Sequence, residues 1–200
     1  MRIATGPDGL PRCAWGVSAP DYLDYHDREW GRPIRDDTGM YERLTLEAFQ
    51  SGLSWLTILR KRENFRAAFA GFDPRAVARF GDDDRARLLA DTGIVRNRAK
   101  IDAAIANAAA TAAMQDGGES LAELVWSHAP EPPGVAPRPG EIAAETAESR
   151  ALARDLKRRG FRFVGPTTVY STMQACGVVN DHLVGCCVRD EVERERLALA

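Results

Sequence analysis

No stretch of this 200-residue chain approaches the roughly 18 consecutive apolar residues that would cross a bilayer, so no membrane partner is expected. Neither sign of charge dominates. The 27 Lys and Arg against 29 Asp and Glu leave a net charge of -2, which lacks the whole-chain basic signature of many nucleic-acid binders. Cysteine is scarce. Cys13, Cys176, Cys186 and Cys187 are too few and too unevenly placed for a disulfide scaffold in a chain long enough to bury its own core, which leaves reduced thiols or metal ligation. Met1 to Gly16 carries Pro7, Gly9 and Pro11 and no apolar run, so it does not read as a secretory leader, and the expected compartment is the cytoplasm. Internal repeats and recurring period-two alternation are also missing, which argues against solenoids and large sheets.

At 44% hydrophobic and 28% charged residues, the chain reads as an ordinary globular protein of one domain. Its core is expected at about residues 13–187, with 1–12 and 188–200 peripheral. The near-neutral total conceals segregation: residues 53–100 hold 11 basic and 6 acidic side chains, 101–149 hold 1 and 8, and 150–165 hold 6 and 1. Such blocks can build a positive face on a neutral protein, although on charge alone solvated helix surfaces are the favoured reading. Tyr41 to Leu59 carries apolar residues at three- and four-residue intervals, which predicts a helix capped by Thr38 and interrupted near Gly52. Further helical patterns cover 64–69, 74–80, 83–92, 98–114, 120–127 and 146–159, separated by Gly, Pro and Asp. The expected fold class is all-α. Pro130 to Gly140 reads as an exposed loop, and the charged tail from Arg189 as frayed or a short helix.

Three constellations carry chemistry. Cys13 and His26 near the start and His182 and Cys186 near the end supply two thiols and two imidazoles, the donor set of a closed tetrahedral zinc site. Spacing i and i+4 would place His182 and Cys186 on one helix face, whereas Cys187 competes only poorly. An ordinary buried Cys and His pair remains the alternative. Trp15, Tyr22, Tyr25 and Trp30 crowd the first thirty residues, while Glu47 interrupts an apolar stripe about two turns from Trp55. A carboxylate among aromatic rings can hold a flat, electron-poor ring, or be a core acid paired with Arg. Finally, Gly93 with Arg96, and Gly165 with Thr167 and Thr168, mark glycine turns before helices in or beside the basic segments, where free backbone N–H groups can hold phosphate.

Longer strings go further: Tyr25-His26-Asp27-Arg28-Glu29-Trp30-Gly31, Gln50-Ser51-Gly52-Leu53-Ser54-Trp55, Arg158-Arg159-Gly160-Phe161-Arg162-Phe163-Val164-Gly165, and Met173-Gln174-Ala175-Cys176-Gly177-Val178-Val179-Asn180-Asp181-His182. With Cys13-Ala14-Trp15 and Lys61-Arg62-Glu63-Asn64-Phe65 they span almost the whole chain, which resembles the 3-methyladenine DNA glycosylase I family. The resemblance implies a helix-hairpin-helix glycosylase fold that flips 3-methyladenine from alkylated double-stranded DNA and hydrolyses its glycosidic bond, acting as a monomer. It further implies one structural Zn2+ on Cys13, His26, His182 and Cys186, joining the terminal segments. Glu47 would bind the extruded base as the catalytic acid, with Trp15, Tyr22, Tyr25 and Trp55 lining the pocket. In the string Val179-Asn180-Asp181-His182, Asn180 stands where related glycosylases carry a catalytic Asp, which confines activity to bases that leave easily. The rival expectations are a DNA-binding module without the reaction and an enzyme of broader specificity.

Overall fold

A computed structural model describes residues 2–131 and 136–198. Ten helices dominate: α1 Pro20–Arg28, α2 Asp37–Gln50, α3 Trp55–Ala68, α4 Pro74–Val77, α5 Asp82–Ala90, α6 Arg98–Asp116, α7 Leu121–Trp126, α8 Ala147–Arg158, α9 Pro166–Ala175 and α10 Arg189–Ala198. The expectation of a purely helical chain needs one correction. Ile3–Thr5 (β1) and Pro11–Cys13 (β2) pair antiparallel, with Ile3 opposite Cys13. Gly9 turns the hairpin at φ +82, and three-residue strands are too short to show alternation in the sequence.

Helix α2 is the axis of the fold. Asp36, rather than the expected Thr38, caps it by accepting from Gly39 N at 2.8 Å. From Met40 to Phe49 every residue is buried, as expected of a helix enclosed by neighbours, here α3, α6, α7 and α9. Three of those buried residues, Glu42, Arg43 and Glu47, are charged. At its far end Lys100 Nζ donates to Phe49 O at 2.9 Å and Ser51 O at 2.5 Å, satisfying carbonyls that the helix leaves free. The chain then breaks at Gly52, φ +81, and restarts as α3 with Ser54 accepting from Thr57 N. Glu47 and Trp55 therefore sit on two helices, not one.

Helices α8 and α9 pack against each other across a tight turn in which Gly160 (φ +92) and Phe163 (φ +55) are left-handed. Phe161 and Val164 anchor the turn in the core, while Phe163 is exposed. Asn107 of α6 grips it like a strand partner, donating from Nδ2 to Arg162 O at 3.0 Å and accepting from Arg162 N at 2.7 Å. Gly177 ends α9 at φ +73, and a Cβ there would stand 2.6 Å from Gly31 O, so only glycine permits α9 to meet the 31–34 segment this closely. Helix α10 is docked rather than frayed: Arg32 pairs with Glu191 and Glu195, and Val192 is fully buried. Of the expected 130–140 loop, residues 132–135 lie outside the described residues; Pro137 is buried and its carbonyl accepts from Val184 N at 3.1 Å, so that part is not a free surface loop. No helix among the described residues is long and apolar enough to cross a membrane.

Candidate active site and metal cluster

A cavity of about 240 Å³ opens between α1, α2, α3 and α9. Trp15, Tyr22, Tyr25 and Trp55, the four aromatics expected from the sequence, all line it, and so does Glu47. The rings brace one another: Trp15 lies 5.5 Å from Tyr22, edge-on, and Tyr25 lies 5.4 Å from Trp55. Aromatic packing of this kind fixes a slot of constant width. Trp55 Nε1 is buried without a hydrogen-bond partner among the described residues. Such an orphan donor costs about 1–3 kcal/mol, and Arg43 Nη1 and Thr45 Oγ1 are in the same state.

Glu47 is the carboxylate of this wall. Burial pushes it up to about 8 from its ordinary 4.5, opposed only in part by the positive charge of Arg43. Arg43, one turn earlier, is engaged elsewhere, donating to Glu29 Oε2 at 2.9 Å, where Arg62 also docks. Tyr25 is raised well above its ordinary value, first by burial and next by Glu47, so it stays a neutral hydroxyl.

Trp30, grouped with the aromatic cluster in the sequence, lines the cavity as well, and three lining residues escaped the sequence reading: Gln50, Ser171 and Gln174. The last two had a signal, since Thr167, Ser171 and Gln174 form a polar stripe at spacings of four and three on α9. A neighbouring cleft shares Glu47, Gln50 and Ser171 with the cavity and adds Ser51, Gly52, Leu53, Thr167 and Thr168. Its floor is the start of α9, where Gly165 is the N-cap, Pro166 has no N–H, and the first helical bond runs from Val169 N to Gly165 O. The amides of Thr167 and Thr168 are thus among the free donors of a helix N-terminus. The other predicted turn behaves differently. Gly93 N is occupied by Asp91 Oδ1 at 2.7 Å, its carbonyl accepts from Lys61 and Asn64, and neither Gly93 nor Arg96 lines the cavity or the cleft. Thr167 and Thr168 thus keep the free amides of a helix start, whereas the Gly93 amide is already bonded.

On the far side of Trp15 and Trp30 the chain ends meet. The ligand atoms of Cys13, His26, His182 and Cys186 lie within 4.8 Å of one another, all buried, and could hold a metal ion. Cys186 Sγ stands 3.5 Å from His26 Nε2 and 3.6 Å from His182 Nδ1. Tetrahedral zinc, with bonds of about 2.3 Å to sulfur and 2.0–2.1 Å to nitrogen, sets S–N edges of about 3.5 Å, so the donors fit such an ion. The second ring nitrogens are also committed: His26 Nδ1 to Asp27 Oδ1 at 2.7 Å and His182 Nε2 to Trp30 O at 3.1 Å, which turns the opposite lone pairs toward the thiols. Asp27 is itself clamped by buried Arg12. The four predicted ligands converge, but not for the predicted reason. His182 and Cys186 are not on a helix; a turn through Gly185, φ +87, folds Cys186 N back to Leu183 O at 3.0 Å. Cys187 is exposed and Cys176 lies in the main core.

The sequence profile of methyladenine glycosylases matches residues 15–190. The chain belongs to the methyladenine glycosylase family. It is 49% identical over 180 residues to DNA-3-methyladenine glycosylase 1 of Escherichia coli, covering 89% of this chain and 96% of that one. It is 42% identical over 177 residues to the Haemophilus influenzae DNA-3-methyladenine glycosylase, covering 88% and 96%. A crystal structure of 3-methyladenine DNA glycosylase I superposes with a TM-score of 0.84 at 50% identity, over 88% of this chain and 98% of that one. A variant of a 3-methyladenine DNA glycosylase I solved in complex with 3-methyladenine also gives 0.84, at 34% identity, over 89% and 97%. Asn180 turns away from the aromatic cavity toward α10, with Nδ2 donating to Arg189 O and Glu193, and Asp181 is bound by Tyr170 and Gln174. Among the described lining residues Glu47 is the one carboxylate.

Proposed function

We propose that this protein is a monofunctional DNA-3-methyladenine glycosylase, a hydrolase of base excision repair that releases 3-methyladenine from alkylated double-stranded DNA and leaves an abasic site. The observation that carries the reading is a single buried carboxylate in a largely aromatic cavity sized for one flat ring. N3-methylation gives the nucleotide's adenine a positive charge, so the base departs neutral and needs little help from a general acid. Glu47 binds that cationic ring by charge and hydrogen bonding, and the aromatic walls stack on its faces. Selection of the methylated base is its main task, with stabilisation of the positive sugar at bond cleavage secondary. The absence of a second carboxylate from the lining suits a substrate whose bond is already weak.

The duplex is gripped through a helix-hairpin-helix formed by α8, the 159–165 turn and α9. Free amides at Thr167 and Thr168, with Gly165 as cap, meet backbone phosphate there. Arg96, exposed beside the Gly93 turn, makes a secondary contact through its guanidinium. Leu53, 42% exposed beside the cavity on the left-handed Gly52 turn, is the apolar wedge that fills the space left by the flipped nucleotide. Leu53→Gly is expected to lower release from duplex DNA more than tenfold while leaving affinity for the free base within twofold; equal losses in both would remove the wedge role. Cys13, His26, His182 and Cys186 hold one structural Zn2+, which supplies a cross-link and no step of the reaction. The enzyme is taken to act as a monomer, in the cytoplasm where free thiols stay reduced.

Incubation with methylated DNA, followed by chromatography of the released bases, tests the reading. Release of 3-methyladenine alone supports it, several methylated bases would favour a broader enzyme, and none would leave a binding module.

A further inference from the structure

Asp181 lies outside the cavity lining, yet it is joined to the lining by one residue. Its Oδ2 accepts from Gln174 Nε2 at 2.7 Å and from Tyr170 Oη at 2.7 Å, and the carboxylate is nine-tenths buried. Burial and the adjacent Asp181 charge push the Tyr170 phenol up, so Tyr170 remains a donor. A carboxylate can only accept, and it therefore decides which way the Gln174 amide faces. The nitrogen must turn toward Asp181, and the oxygen, on the other arm of the planar amide, is left for the cavity that Gln174 lines. Without Asp181 the two amide orientations would be close in energy.

We propose that Asp181 is a positioning residue that locks Gln174 with Oε1 toward the base, making the polar side of the pocket an acceptor wall that favours a 6-amino purine over a 6-oxo purine. The inference rests on the cavity being the base pocket. With Glu47 ionised against the cationic ring, it gives two acceptors on that wall. An exocyclic amine satisfies them; a ring carbonyl brings oxygen against oxygen and loses its hydrogen bond to water without replacement. The geometry also explains why a buried acid is retained next to, but not in, a cavity that otherwise contains one carboxylate.

The test is binding of free 3-methyladenine and free 3-methylguanine, followed by quenching of the cavity tryptophans, which does not depend on turnover. Asp181→Asn can present either end of its amide to Gln174, so Gln174 can flip. The preference for 3-methyladenine is expected to fall about tenfold or more, chiefly through a gain in 3-methylguanine binding. Gln174→Met, which keeps volume and removes the amide, should lower the preference likewise. Tyr170→Phe removes one donor but leaves the carboxylate facing Gln174, and should retain the wild-type ratio. A folded Asp181→Asn or Gln174→Met variant with the wild-type ratio would overturn the proposal while leaving the base pocket intact. A wild-type protein that binds neither base would instead overturn the pocket reading, and the inference with it.

Discussion

Glu47→Gln is expected to reduce base release by at least a hundredfold and, at the same time, to make the protein more stable in alkaline solution. The first effect follows from removing the one carboxylate that meets the cationic ring; a single preorganised charge contact of this kind contributes about 2–4 kcal/mol to a transition state. The second follows from linkage. Burial raises the folded-state value of Glu47 to about 8 from 4.5, so its neutral form suits the folded state and its charged form does not. The stability this confers is fully present below pH 4.5 and is lost as pH rises through 8. Glutamine never ionises, so by pH 9 the variant should be ahead by about 3–5 kcal/mol, corresponding to about 10 °C in Tm, and the advantage should shrink to about 1 kcal/mol at pH 5. Thermal melts at both pH values check this, and an equal difference at each would mean that Glu47 is not titrating in the fold. The same proton governs catalysis. Below about pH 8 the empty pocket holds Glu47 protonated, and the incoming cation must displace that proton, so kcat/KM should climb toward pH 8 and level off. In Glu47→Gln the residual profile should be flat across that range.

Loss of the metal is the second large effect. Cys186→Ser, or removal of the ion with a chelator during unfolding and refolding, is expected to lower stability by about 5 kcal/mol, or about 10–20 °C in Tm. Closing a loop that runs from Cys13 to Cys186 removes much of the freedom of the unfolded chain, as a cross-link of that length would. Elemental analysis should find one zinc per chain in the wild type and little in Cys186→Ser. Cys187→Ser, at an exposed thiol that ligates nothing, should match wild type in both. A metal-free wild type, or a Cys186→Ser variant melting within about 2 °C of it, would make the cluster an ordinary buried pair of Cys and His residues.

Most of the helices and the four aromatics with Glu47 were readable because periodicity, Gly and Pro punctuation and residue type are local properties. The strings from Tyr25 to Gly31 and from Met173 to His182 reach further, since resemblance carries tertiary information that periodicity cannot. What escaped is long-range. Helix α1 was hidden because its aromatic residues serve the cavity and its exposed face is acidic, so neither template was evident. Gly93 looked like Gly165 in the sequence, and only the fold shows that Asp91 consumes its amide. The partnership of Gln174 with Asp181 spans seven residues across the end of α9, where no helical spacing applies once Gly177 turns the chain. Pro137 reads as a loop residue until Val184, brought close by the same turn that gathers His182 and Cys186, is seen on its carbonyl.

Trp15 and Trp30 serve both sites: their rings pack on the cavity aromatics and also on His26 and His182, within about 5 Å in each case. A ribosome delivers Trp15 near the beginning of synthesis and Cys186 near the end. Because the shared indoles are backed by His26 and His182, the cavity wall they form is complete only when the two ends of the chain pack together. A growing chain thus carries the Glu47 and Trp55 walls long before it can hold a base between them. The last segment to be made thus backs a wall built by the first, and a copy truncated before His182 is expected to lack that support.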